Sequence, residues 1–277
     1  MVRVTFLKIG CIGATNLIEA QLDERASRKD IHIRAISTGC NMKKEEAEEA
    51  AKLAVSVPTD LYIIISPNVA LPGPTAARRI LRETGKPIII VSDEPSKKMT
   101  KTLAEDGLGY IIIHADPMIG ARQGFLDPVE MSLFNSDVIR VLAITGVFRL
   151  LHSEIDHVIT QLKKGEKPTL PQIIANKETA LKQSGLENPY AHAKAEASFE
   201  TARNVAALSS EGCFKVKERR KYLTIVAAAH EQMRQAAQLA DEAREIEKSN
   251  NTVTRVIHLN SGALRRKNRL FARYRRL

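Results

Sequence analysis

Four short segments of this 277-residue chain concentrate residue types that could hold a small molecule and react it. Gly10-Cys11-Ile12-Gly13-Ala14 follows a β-branched run and opens a helix. Glycines there let backbone N–H groups face a ligand beside the positive helix end, a general site for an anion or a ring edge. Ser66-Pro67-Asn68-Val69-Ala70-Leu71-Pro72-Gly73-Pro74 holds three prolines and a glycine, which fix a loop shape at low entropic cost. Asp93-Glu94-Pro95 offers two carboxylates, and Asp116-Pro117-Met118-Ile119-Gly120-Ala121-Arg122 joins an acid to a guanidinium. Each has a plainer reading: a tight connection for the first, a structural corner for the second, a helix N-cap for the third.

Other chemistries find no support in the spacing. A nicotinamide site wants G-x-G-x-x-G and an acidic residue at the end of the second strand, where this chain reads Ser37-Thr38-Gly39-Cys40. No G-x-x-x-x-G-K-[ST] is present for a nucleotide triphosphate. His152 and His157 are five apart, so they do not share a helix face as a metal pair would, and no metal is expected. His230 stands mid-helix in Ala227-Ala228-Ala229-His230-Glu231, either as a packed or interfacial imidazole or as a substrate contact. Cys11, Cys40 and Cys213 form no C-x-x-C and read as reduced thiols.

These loops need a frame that brings them together. Val2 to Ile9, Ile31 to Ser37, Leu61 to Ser66, Pro87 to Ser92 and Tyr110 to His114 read as five strands, rich in Ile and Val as strands covered on both faces are. The gaps between them are long enough for helices, the clearest being Lys43 to Val57, with an acidic wet face and an Ala-rich buried one. Right-handed crossovers and a parallel, doubly wound α/β sheet follow, with all four candidate loops at its carboxyl edge.

Beyond residue 126 the period becomes helical. Asp127, Pro128 and Glu130 mark a helix start, by N-cap, first-turn proline and a carboxylate three residues after the cap. The helical pattern runs to about Lys163, with a break near Gly146; Gly165 to Pro171 reads as a linker, and Pro189 to Leu208 and Leu223 to Lys248 as Ala-rich helices. The expected organisation is a parallel α/β domain over 1–126, a helical region over 127–250 forming a cleft wall and an oligomer interface, and a basic tail over 251–277. The tail carries eight of the 42 Lys and Arg residues and no acid, which leaves 34 basic against 32 acidic residues elsewhere. Eight of the ten net positive charges therefore lie in the tail, and its plain reading is a solvated or subunit-clasping extension rather than a nucleic-acid site. No apolar run approaches the roughly 20 residues of a membrane span, no secretory leader is evident, and a cytoplasmic protein is expected.

Several stretches carry a resemblance. They are Leu22-Asp23-Glu24-Arg25-Ala26, Pro72-Gly73-Pro74, Gly107-Leu108-Gly109-Tyr110-Ile111, the Asp116 to Arg122 segment and, most specific, Phe125-Leu126-Asp127-Pro128-Val129-Glu130-Met131. Thr145-Gly146-Val147-Phe148-Arg149, Asn188-Pro189-Tyr190, Glu211-Gly212-Cys213-Phe214 and Asp241-Glu242-Ala243-Arg244-Glu245 continue the series in order. From residue 2 to about 250 the chain resembles the coenzyme F420-dependent methylenetetrahydromethanopterin dehydrogenases of archaea. The resemblance implies an oxidoreductase of one-carbon metabolism that moves a hydride between methylenetetrahydromethanopterin and the deazaflavin of coenzyme F420, with no metal, flavin or NAD, in a homohexamer. It places the cofactor at Gly10, Cys11, Ile12, Gly13, Ala14, Ser66, Pro67, Asn68, Gly73 and Asp93, and the pterin at Met118, Gly120, Arg122 and His230. Asp116 and Asp127 become the carboxylates expected to steady the cationic methenyl group as it develops.

The chain departs from the family pattern mainly on this rim. The usual C-G-N-[IL]-G turn is Ile9-Gly10-Cys11-Ile12-Gly13, P-N-P-A-A-P-G-P is Pro67 to Pro74, G-D-A-P-G is Ser92 to Ser96, and the Lys-Pro before the strand-five Asp is His114-Ala115. A paralogue of altered specificity, or without turnover, is the alternative those changes raise.

Overall fold

Residues 1–16, 19 and 27–277 are described by a computed structural model; Leu22 to Ala26 lie outside the described residues. The Ile- and Val-rich runs become β1 (Val2–Lys8), β2 (Ile31–Ser37), β3 (Leu61–Ser66), β4 (Ile88–Asp93) and β5 (Gly109–Ile113). A sixth strand, β6 (Gln172–Ala175), adds to the same sheet in the order β2-β1-β3-β4-β5-β6, with every pairing parallel. Every residue of β3 and β4 is buried, because helices cover both faces of a parallel sheet.

The pleat sorts side chains between two cores. Tyr62 and Ile64 of β3 join Ala47, Ala51 and Ala54 of α1 (Lys44–Ser56) and Ala77 and Leu81 of α2 (Pro72–Arg82) on one face. Leu61, Ile63 and Ile65 face the opposite way, into a second core shared with α4 (Pro128–Ile144), α5 (Val147–Lys163), α7 (Pro189–Ser210) and α8 (Arg219–Ser249). The short helices α3 (Thr100–Glu105) and α6 (Lys177–Lys182) complete the set of labelled helices. No helix among the described residues is long and apolar enough to cross a membrane.

Two expectations need correction. The strand β6 arises inside the segment read as helical, so the sheet is not confined to residues 1–126. Its four residues are too few to show a period, and it becomes a strand only because Tyr110 to Ile113 of β5 offer it an open edge. The break expected near Gly146 is present: a φ of +97° there turns the chain between α4 and α5. The basic tail is folded rather than a free extension: β7 (Arg255–His258), β8 (Leu264–Lys267) and β9 (Arg275–Arg276) form a small antiparallel sheet whose far end, from Arg273 to Leu277, is largely exposed.

That sheet is docked by polar contacts to its own chain. His258 Nε2 lies 2.6 Å from Asp156 Oδ2, Arg28 bonds both Asp30 and Asp156, and Lys163 donates to Asp30 and to the Ser261 carbonyl. Burial alone would raise the Asp30 carboxyl, but the hydrogen bonds and charges of Arg28 and Lys163 outweigh it and hold the group well below the usual carboxylate range. Asp30→Asn should therefore lower the urea midpoint at pH 7, and the gap from wild type should narrow as the pH falls toward the Asp30 pKa, where the wild-type carboxylate itself is lost.

Candidate active site at the carboxyl edge of the sheet

In a sheet of this order the chain leaves β1 on one side for β2 and crosses on the other to β3, so the loops after β1 and β3 diverge and leave a crevice at their carboxyl ends. The turn after β1 and the loop after β3 occupy that crevice. Gly10 has a φ of +86°, and a Cβ there would stand 2.7 Å from Met42 Sδ and 3.0 Å from Pro67 Cδ. A Cβ on Gly73 would stand 2.2 Å from the Met42 carbonyl oxygen. The loops after β1, β2 and β3 are thus in mutual contact through atoms that tolerate no added methyl.

A hydroxyl relay ties in the loop after β4. Ser92 Oγ donates to the Ser66 carbonyl at 2.5 Å and lies 2.6 Å from Ser96 Oγ, which accepts from the Val69 N–H at 3.0 Å. Since Ser92 spends its proton on Ser66, Ser96 must donate to Ser92. Asp93 Oδ1 accepts from the Glu94 N–H at 2.6 Å and caps a short 3-10 helix, Glu94–Met99, which was the plain reading of that segment.

The loop after β5 closes the ring from below. Asp116 is fully buried; its Oδ1 accepts from the Gly13 N–H at 2.6 Å and its Oδ2 from the Ala14 N–H at 2.8 Å. It occupies the N-terminus of the helical residues that begin at Gly13, where the free N–H groups and the helix field favour an anion. Burial nonetheless pushes its carboxyl up to about 7 against those two donors. Burial also carries Asp93 well above the carboxylate range, and the charge of Asp116 adds to the rise. Two enclosed acids on adjacent loops thus favour sharing one negative charge at most near neutrality.

Helices α4 and α8 form the second wall. His230 of α8 is 7% exposed, sits between the rings of Phe125 and Phe134, and places Nδ1 2.7 Å from Glu130 Oε1. Burial lowers its pKa, opposed by the Glu130 carboxylate. The neutral ring then gives its proton to Glu130 through Nδ1, and the lone pair is left on Nε2, which has no partner among the described residues. A Cβ on Gly120 would meet that Nε2 at 3.2 Å, so the loop after β5 passes directly over the imidazole. An open cavity of about 490 Å³ continues from Glu130 and His230 past Asp137, Arg140 and Arg234.

Not every expected ligand residue is presented to a ligand. Asp127 is exposed and its Oδ1 accepts from the Glu130 N–H at 2.7 Å, the N-cap of α4. Arg122 donates to the carbonyls of Cys213 and Val216 and lies 3.8 Å above the Tyr222 ring, so it fastens the loop after β5 to the segment before α8. Met118 is half-buried in that loop and Gly120 is buried. Arg122→Ala should cost about 2 kcal/mol of stability, from two charge-assisted bonds and a stacked ring, and should raise the KM for any ligand held by residues 116–122 more than it lowers kcat. Urea unfolding and steady-state kinetics on one preparation would check both.

The sequence reading overlooked Glu130 as a site residue, because a carboxylate three residues after an N-cap fits a capping box. Its backbone N–H is indeed capped, but its side chain turns to His230. A histidine 100 residues away supplies no local signal. Ser66 was expected at the site, and its fully buried Oγ has no partner among the described residues, as has Nε2 of His114. Unsatisfied buried polar atoms are uncommon, and a ligand with donors and acceptors would satisfy them. The glycine cradle, the free Ser66 hydroxyl and the absence of an acidic ribose partner after β2 fit a flat heterocycle of the deazaflavin kind.

Comparison with known proteins agrees over the whole chain. The profile of the methylene-5,6,7,8-tetrahydromethanopterin dehydrogenase family matches residues 2–275. An F420-dependent methylenetetrahydromethanopterin dehydrogenase of Archaeoglobus fulgidus is 52% identical over 273 residues, covering 99% of each chain. One from Methanocaldococcus jannaschii is 47% identical over 259 residues, covering 93% of this chain and 94% of its own. A solved F420-dependent methylenetetrahydromethanopterin dehydrogenase, in complex with methylenetetrahydromethanopterin and coenzyme F420, superposes with a TM-score of 0.96 at 40% identity, over 99% of this chain and all of that one. The crevice at the turn after β1, the enclosed carboxylates beneath it and the likeness from residue 2 to residue 275 place this chain in the methylene-5,6,7,8-tetrahydromethanopterin dehydrogenase family.

Proposed function

We propose that the protein transfers a hydride reversibly between the methylene carbon of methylenetetrahydromethanopterin and coenzyme F420, giving the methenyl cation and the reduced cofactor. The observation that carries this reading is the near-complete superposition on a dehydrogenase solved with both ligands. The deazaflavin, when bound, supplies the ring carbon that takes the hydride and the ring nitrogen that takes a proton. The protein's share is to align two rings and exclude water.

In this reading Gly10 to Ile12, Ser66 to Asn68 and Gly73 form the deazaflavin cradle, shaped from beneath by Gly13 and Ala14, whose amides Asp116 takes, and by the helix cap of Asp93, while Met118, Gly120 and His230 border the pterin. Asp116 acts as a positioning residue through the Gly13 and Ala14 amides, and Asp127 and Arg122 hold the shape of the pterin side. His230 Nε2 offers an acceptor to a pterin N–H. His230→Phe, which keeps the ring and removes the acceptor, should raise the pterin KM about tenfold with the KM for coenzyme F420 unchanged.

One rim substitution, at Val69, favours a working enzyme over a silent paralogue. Val69 is buried, its N–H bonds Ser96, and its carbonyl accepts from Thr75 and Arg78, so its side chain packs inside the loop. A homohexamer and a cytoplasmic setting complete the proposal; the exposed Val129, Met131 and Leu133 on α4, with Tyr190 and Phe214, supply apolar surface for subunit contact. Purified protein with methylenetetrahydromethanopterin should bleach the absorbance of oxidised coenzyme F420 and leave NAD and NADP untouched. Binding of both ligands with no bleaching would overturn the proposal in favour of a non-catalytic paralogue.

A further inference from the structure

Cys11 and Cys40 are 29 positions apart in sequence, yet their sulfurs lie 3.2 Å apart. The sheet brings them together: Cys11 stands in the turn after β1, Cys40 in the loop after the neighbouring parallel strand β2. Cys40 is exposed and Cys11 is partly so, while Cys213 belongs to another part of the chain.

We propose that Cys11 and Cys40 form a thiol modification site at the mouth of the cofactor cradle, where a small-molecule disulfide is reduced and an intrachain disulfide is left. Exposed Cys40, as its thiolate, attacks one sulfur of the reagent; a mixed disulfide forms and the first small thiol leaves. Cys11 then gives up its proton and attacks the Cys40 sulfur, and the second small thiol leaves. Two protein thiols are oxidised, one small disulfide is reduced to two thiols, and the cysteine protons pass to the departing thiolates. The order of attack follows from the surroundings: burial, with the hydrogen bond to Cys40, pushes the Cys11 thiol up to about 11, so Cys11 waits as the resolving thiol.

Closure would draw the sulfurs from 3.2 Å to the roughly 2.05 Å of a disulfide. The turn that must follow is held on both sides of Cys11. Gly10 is wedged against Met42 and Pro67, and the Gly13 and Ala14 amides are bonded to Asp116. A shift of about 1 Å in a cradle clamped in this way changes the surface that meets the cofactor. Oxidation should therefore weaken coenzyme F420 binding, a consequence that rests on the function proposed above, whereas the disulfide itself does not.

The full-length protein, reduced and desalted, would be treated with oxidised glutathione and followed by intact mass, peptide mapping, thiol titration and coenzyme F420 fluorescence titration. We expect a loss of two hydrogens, a peptide pair linked through Cys11 and Cys40, weaker cofactor binding, and full recovery with dithiothreitol. Cys40→Ser should bind the cofactor as the reduced wild type does and should keep that affinity after the treatment; Cys213→Ser should still close the disulfide. Persistent glutathione adducts without a linked peptide, unchanged Cys11 and Cys40 thiols, or a linked pair with undiminished cofactor affinity would each overturn the proposal. If the reduced protein binds no coenzyme F420, the functional reading fails, while mass and mapping still decide the thiol site.

Discussion

Asp116→Ala should lose about 2–6 kcal/mol of stability and lower kcat about 100-fold. Both carboxylate oxygens of Asp116 accept backbone N–H bonds, and the residue is fully buried. Removing the side chain strands two donors, each at about 1–3 kcal/mol, in a space that Val138 and the turn already fill. The cradle loses its lower support, and misplacement by about 1 Å suffices for the loss of rate. Urea unfolding and steady-state kinetics would test the two effects, and a variant with wild-type stability would show that water replaces the carboxylate without penalty. The pH dependence has a definite sign. A carboxyl at about 7 in the folded protein, against about 3.9 unfolded, keeps its proton longer when folded. Its contribution is full below about pH 4 and is lost as the pH rises to about 7 and beyond. Asp116→Asn, which cannot ionise, should flatten that decline in the urea midpoint between pH 4 and 8, while losing the second acceptor that serves Ala14. An unchanged slope would assign the decline to Asp93 or another group.

Gly146→Ala should be among the most damaging single changes outside the site, at about 2–5 kcal/mol. Gly146 has a φ of +97°, a region costly to residues with a Cβ. A methyl there would stand 2.1 Å from the Ala180 carbonyl oxygen and 2.5 Å from the Ser184 nitrogen, both backbone atoms that cannot rotate away. The strain and the overpacking add. Since Gly146 sets the angle between α4 and α5, and α4 carries Glu130, the variant should also raise the pterin KM. Calorimetric unfolding would give the first effect. A melting temperature within a degree of wild type would show that the turn is set by something other than this contact.

The strands of the first domain were legible because they are long enough, and apolar enough on both faces, to show themselves without context. Strand β6 was not, since a run as short as Gln172 to Ala175 acquires its conformation from the open edge of β5. The tail shows the opposite failure. Arg-rich composition reads as a free extension, yet His258 on Asp156 and the Ser261 carbonyl on Lys163 fasten the tail to distant elements.

At the site, the sequence by itself determined the cradle. Glycines and prolines act through local backbone freedom, so Gly10 to Ala14, Ser66 to Pro74 and Asp116 to Arg122 could be placed on one sheet edge from strand spacing and handedness alone. Long-range partnership belongs to the tertiary structure: His230 with Glu130, Asp116 with the amides of Gly13 and Ala14, Arg122 with Tyr222, and Cys11 with Cys40. Those pairs set the protonation states, the fixed shape of the rim and the proximity of two thiols. Each depends on distances of about 3 Å between residues 29 to more than 100 positions apart, which periodicity and spacing along a chain do not encode.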